Sequence, residues 1–81
     1  MSTQSVLNEV AQERERQINT YGWDDSLNSK NDWAAYVTTY AGRARDERIG
    51  EDFRRNMIKV AALAVAAIEA CDREYPTQGG Q

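Results

Sequence analysis

The stretch from Val60 to Ile68, VAALAVAAI, contains no polar residue. As an α-helix these nine residues make about two and a half turns, so the apolar surface runs right round the rod. A strand can also carry a short apolar run. Here the alanine content, the length of the enclosing segment Phe53–Cys71 and the absence of Gly and Pro from it point to a helix. A helix with no polar face must be surrounded. Whatever else folds has to cover this segment, and whatever stays uncovered needs a partner.

At 81 residues the chain reads as one domain, with a core that is marginal unless something adds to it. Two further helices are predicted. The first runs over about 5–21, capped by Ser5 or Thr3, with Leu7, Val10, Ala11, Ile18 and Tyr21 on one stripe, weakly continued by Arg14 and Gln17. Gly22 offers it a left-handed stop, and Trp23 anchors the polar loop that follows. The second runs over about 31–47, capped by Ser29 or Asn31. Trp33, Tyr36, Val37, Tyr40, Ala41 and Ala44 form its helical stripe, and Gly42 would allow another backbone or a ligand to come close. A short charged link with Gly50 leads to the third helix, about 52–74, with Asp52 as its cap. Residues 1–4 read as loose and 76–81 as a disordered tail, leaving 1–75 as the helical domain. The expected fold is all-α, a three-helix antiparallel up-down-up unit. Two helices cover only part of the third, so the unit is expected to complete a bundle as a homo-oligomer, most simply a symmetric dimer.

Composition and charge remove several functions. No stretch reaches the ~18 continuous apolar residues of a membrane span, and MSTQSVLNEV lacks the pattern of a signal peptide. With the lone Cys71, this gives the expectation of a cytoplasmic protein. The net charge of −3 disfavours duplex nucleic acid. The charge is uneven, however: residues 43–59 carry six cations against four carboxylates, a local excess that suits a small phosphorylated ligand. There is no histidine, which removes the commonest general base and transition-metal ligand.

The short link places the ends of the second and third helices in one neighbourhood. Tyr36, Tyr40 and Arg43 lie on adjacent turns of one, and Asn56 and Lys59 share a face of the other. Lys59 stands at the mouth of the apolar run, where an ammonium needs a negative partner. Cations, an amide and phenols suit a phosphate and a stacked base. The candidate ligand-binding residues are therefore Trp33, Tyr36, Tyr40, Arg43, Arg54, Asn56 and Lys59. The competing reading makes the tyrosines core and lets Lys59 snorkel to water. Carboxylates for a metal are sparse: Glu9 with Glu13 and Glu69 with Asp72 each share a helical face, Asp24-Asp25 reads as turn chemistry, and the second helix from Trp33 to Ala44 has none to complete the set of about four converging carboxylates a dimetal site needs. No metal site, cofactor or catalytic residue is expected. Cys71, among Ala67, Ile68 and Ala70, reads as core.

The segments VLNEVAQERERQINTYGW, NDWAAYVTTYAGRA and FRRNMIKVAALAVAAIEACDR resemble small phage and prophage proteins and, more distantly, the all-α nucleoside triphosphate pyrophosphohydrolases of the MazG-like type. The resemblance spans about Val6 to Arg73. It implies an oligomeric helical bundle, Mg²⁺ dependence and cleavage of nucleoside triphosphates to monophosphates. The active enzymes carry E-E-x-x-E on the helix matching the second one and E-x-x-D before the apolar run. This chain has Thr38-Thr39-Tyr40-Ala41-Gly42-Arg43 and Arg55-Asn56-Met57-Ile58-Lys59 there, and Glu69-x-x-Asp72 comes several turns late. The resemblance thus points to a nucleotide scaffold without its metal carboxylates. The expected function is a non-catalytic, phage-type protein that binds a small nucleotide or other phosphorylated ligand at an oligomer interface. Acting in the host cytoplasm, it would sequester a nucleotide signal as an anti-defence factor. Two alternatives are a Mg²⁺-dependent pyrophosphohydrolase using Glu9, Glu13, Glu69 and Asp72, and a protein–protein interaction module.

Overall fold

The computed structural model describes residues 2–21 and 29–74. They form three helices, α1 (Thr3–Tyr21), α2 (Lys30–Asp46) and α3 (Glu51–Glu74), with no strand among the described residues. The expectations for Gly22, Trp23, Asp24-Asp25, the side chain of Tyr21 and the tail lie outside the described residues.

The helix starts follow from side chains that satisfy free backbone donors. At α1 the cap is Ser2, not Ser5 or Thr3. Ser2 Oγ accepts from the Ser5 N–H at 3.1 Å, and Ser5 Oγ accepts from the Ser2 N–H at 3.1 Å. Residues 3 and 4 are therefore helical rather than loose. At α2, Ser29 Oγ accepts from the Asp32 N–H at 3.2 Å while the Asp32 carboxylate accepts from the Ser29 N–H at 2.8 Å. This reciprocal pair is a capping box, and Asp32 also sits well with the positive end of the helix dipole. The helix stops at Glu47, whose extended backbone turns its N–H onto the Ala44 carbonyl. After a four-residue link, 47–50, α3 begins a residue earlier than expected. Asp52 is inside it, bonded to Arg55 at 2.7 Å, instead of capping it.

The architecture is the up-down-up arrangement, with α3 at its centre. Both α1 and α2 pack on α3 and not on each other. Trp33 meets Leu63 and Ala66, while Tyr40 lies by Lys59, so α2 runs antiparallel to α3. The core is small: Ala62, Leu63 and Ala66 are fully buried, joined by Val10, Trp33 and Ala44. Trp33 stacks edge-on against Tyr36, with ring centroids 6.1 Å apart. Buried Gln17, rather than Leu7 or Ile18, continues the inner stripe of α1, and Ala41 is exposed on α2.

The apolar helix is not surrounded in the single chain. Val65 is 37% and Ile68 60% exposed, and Met57 is 42% exposed a turn before Ala61. Cys71, expected in the core, is also exposed on this side of α3.

Candidate functional site

The antiparallel register of α2 on α3 brings two candidate cations onto one phenol. Arg43 Cζ is 4.9 Å and Lys59 Nζ 5.5 Å from the centroid of the Tyr40 ring. Both distances fall within the ~6 Å over which a ring face attracts a cation. Neither cation forms an ion pair with a described carboxylate. The same register sets half-buried Asn56 at the level of Arg43. Tyr36 borders the cluster from the next turn of α2, between it and Trp33.

Helix α1 closes the neighbourhood with a carboxylate. Glu13 accepts from Arg16 at 2.9 and 2.7 Å and from Gln17 Nε2 at 3.2 Å. The Arg16 hydrogen bonds hold its carboxyl below the usual range against the opposing effect of burial, and Gln17 and Lys59 add to them. Lys59 is thus close enough to Glu13 to feel it without pairing with it. Gln17 is 3% exposed, and its Oε1 has no hydrogen-bond partner. Glu13 was expected only as a carboxylate of the metal-dependent alternative, and Gln17 was not among the expected site residues. Their i, i+4 spacing on the inner stripe of α1 is the signal that marks them.

The remaining candidates lie elsewhere. Trp33 is a core residue, 6% exposed, packed on Leu63 and Ala66. Arg54 binds Glu9 with two nitrogens, at 2.8 and 2.5 Å. That bidentate pair raises the Arg54 pKa and lowers that of Glu9, chiefly through the hydrogen bonds themselves. Arg54 shares a polar hollow of about 230 Å³ with Glu9, Glu51 and Arg55, apart from Tyr40. Of the seven candidates, the structure brings Arg43 and Lys59 onto Tyr40, packs Tyr36 and Tyr40 against the Trp33–Leu63–Ala66 core, leaves Asn56 one turn from Lys59 on α3, and sets Trp33 in the core and Arg54 on Glu9.

A Cβ built on Gly42 would meet nothing within 4 Å, so no other helix of this chain uses the close approach a glycine allows. The carboxylates of the metal alternative are spread out and engaged: Glu9 with Arg54, Glu13 with Arg16, and Glu69 with Arg14 at 3.2 Å. Among the described residues no three Asp, Glu or Cys side chains group as metal ligands. No described helix is long and apolar enough to cross a membrane. Comparison with known protein families, curated proteins and solved structures finds no match.

Proposed function

We propose that this chain is a non-catalytic binding protein for a small nucleotide or other phosphorylated ligand, held beside α2 and the N-terminal half of α3. The observation that carries the reading is the Tyr40 ring with Arg43 and Lys59 over it, two cations without a carboxylate partner. A phosphate supplies the missing negative charge through charge-assisted hydrogen bonds. With the Tyr40 ring taken by the two cations, Tyr36 is the ring left for a base, and the Asn56 amide has both a donor and an acceptor for its edge. Arg54 would join only by leaving Glu9, so the phosphate-binding role rests on Arg43 and Lys59.

The resemblance to MazG-like enzymes fits the same place. Where that family holds metal carboxylates, this chain has Thr38-Thr39-Tyr40-Ala41-Gly42-Arg43 and Arg55-Asn56-Met57-Ile58-Lys59, which include the three residues of the cationic cluster. With cations there, the site would hold phosphates yet could not activate water as Mg²⁺ does. A phage-encoded protein of this kind would act by sequestering a host nucleotide signal, for which binding suffices. Calorimetric titration with nucleoside mono-, di- and triphosphates and cyclic dinucleotides, with and without EDTA, tests the reading. Expected is EDTA-insensitive binding that Lys59→Met weakens and that Glu69→Gln and Asp72→Asn leave intact. Catalytic hydrolysis of a nucleoside triphosphate, abolished by EDTA, would instead establish the pyrophosphohydrolase alternative.

A further inference from the structure

The side of α3 turned away from Lys59 carries a regular stripe. Arg54, Met57, Ala61, Ala64, Ile68 and Cys71 follow one another at spacings of three and four residues, the repeat by which one helix seats on another. Lys59 is two residues from both Met57 and Ala61, about 200° round the helix from each. Met57 and Ile68 are 42% and 60% exposed, so α1 and α2 do not cover the stripe. Apolar hollows of about 550 and 400 Å³ flank it, walled by Val6 and Phe53 on the α1 side and by Val37 on the α2 side.

We infer that a second copy of this chain covers the stripe, with the two α3 helices antiparallel. The stripe reads the same from either end in that orientation, large–small–small–large about its middle. Reversing it sets Met57 on the partner's Ile68 and Ala61 on the partner's Ala64, with Arg54, which stays paired with Glu9 of its own chain, at the level of the partner's Cys71. The small alanines fall at the middle, where two rods approach most closely, and the larger side chains fall outside them. A parallel pair would put Arg54 on Arg54 and Asp72 on Asp72, and would align the two helix dipoles. The 24 residues of α3 give a seam about 36 Å long, with the hollows on either side available to widen it. The two-fold axis crosses the seam between Ala61 and Ala64. This dimer is independent of the ligand reading. It leaves the Tyr40 cluster outside the interface, so in this dimer each copy keeps a whole cluster.

The native cysteine separates the two orientations. In the antiparallel pair the two Cys71 residues are about 25 Å apart along the seam, well beyond the reach of a disulfide. In a parallel pair they are adjacent. Light scattering of the wild-type chain at micromolar concentration should give the dimer mass, and mild oxidation should leave Cys71 unlinked. Two variants in a Cys71→Ser background, Met57→Cys and Ile68→Cys, should each stay unlinked alone and cross-link when mixed and refolded together. Both positions are exposed in the monomer, so circular dichroism should show each variant folded. A monomer, cross-linking of wild-type Cys71, cross-linking of either variant alone, or an unlinked mixture would each overturn the inference.

Discussion

The two faces of α3 are built from the same residues and meet opposite fates. On the inner face Ala62, Leu63 and Ala66 are fully buried against α1 and α2. On the outer face Ala61, Ala64, Val65 and Ile68, from the same apolar run, reach solvent. Hydropathy cannot distinguish them. What distinguishes them is that two helices packed side by side on a third cover about half its circumference, and the short 47–50 link keeps α2 next to α3 on one side. The inner face also holds the charge at the N-terminal edge of the run, Lys59, and that charge is met by a ring, Tyr40, and by the field of Glu13. The outer face offers nothing polar between Met57 and Ile68. One face is therefore finished within the chain, with a cationic cluster at its end, and the other is a surplus.

Truncation on either face measures this contrast most directly. Leu63→Ala should cost about 2–5 kcal/mol, the range for deleting a fully buried leucine that leaves a cavity. Ile68→Ala, in dilute protein where the monomer prevails, should stay within about 0.5 kcal/mol as an exposed substitution does. As protein concentration rises, the wild-type chain should gain thermal stability by mass action while Ile68→Ala gains less. Denaturant melts of the three proteins at two concentrations test all of this together. Equal costs for the two truncations in dilute protein would mean that the faces do not differ.

The next effect belongs to the cationic end of the inner face. Lys59→Met keeps most of the side-chain volume and removes the charge. Nucleotide affinity should fall by about 1.5–3 kcal/mol, the scale of a hydrogen bond to a charged group. Stability should change by less than about 1 kcal/mol, since the attraction lost within the chain is that of an ammonium for a ring and a nearby carboxylate. A strongly destabilised variant with unchanged affinity would make Lys59 a structural cation and remove the proposed site.

The inner face was the more legible of the two in the sequence. The stripe from Trp33 to Ala44 has helical spacing, and it marks α2, its face toward α3 and the two core residues that α2 supplies, Trp33 and Ala44. It failed at Ala41, because a helix packed on a single neighbour buries a narrower band than the stripe. On α1 the pattern ranked Leu7 and Ile18 above Gln17, but Gln17 is buried, its amide bonded to Glu13. Side-chain pairing of that kind is not visible in hydropathy. Ser2, Thr3 and Ser5 all qualify as caps by type, and only the geometry of the turn selects Ser2. Lys59 was identifiable as misplaced, whereas its neighbour Tyr40 required the register of two helices. Arg54 looked like Arg43 in sequence, yet it lies on the part of α3 that meets Glu9.

Cover over the inner face depends on α2 holding its first turn, which gives a smaller effect. Ser29→Ala removes the acceptor for the Asp32 N–H and one half of the capping box. It should cost about 1 kcal/mol, with cap deletions ranging over roughly 0.5–2. Hydrogen exchange should quicken first in the amides of residues 30–34, with α1 unaffected. A loss shared evenly by α1 and α2 would show that the two flanking helices form a single cooperative cover.

The smallest effect is electrostatic, and it separates the edges of the inner face from its apolar floor. Glu9 and Glu13 both have carboxyls held below the ordinary glutamate value of 4.5, the first through hydrogen bonds from Arg54 and the second through those from Arg16. A carboxylate that is easier to ionise in the folded chain than in the unfolded one stabilises the fold where both forms are ionised. That contribution is complete above 4.5. It shrinks as pH falls below that value and is gone once the folded-state carboxyls are protonated. The melting temperature should therefore hold steady from neutrality to mild acid and then decline. Both pairs are partly exposed, so added salt should flatten the decline by screening. Glu13→Gln should remove part of the slope at acid pH, while Leu63→Ala should lower the whole curve without altering its shape. A melting temperature that rises on acidification, or a slope unchanged in both Glu9→Gln and Glu13→Gln, would mean that neither the α1–α3 pair Glu9–Arg54 nor the pair Glu13–Arg16 within α1 contributes to stability.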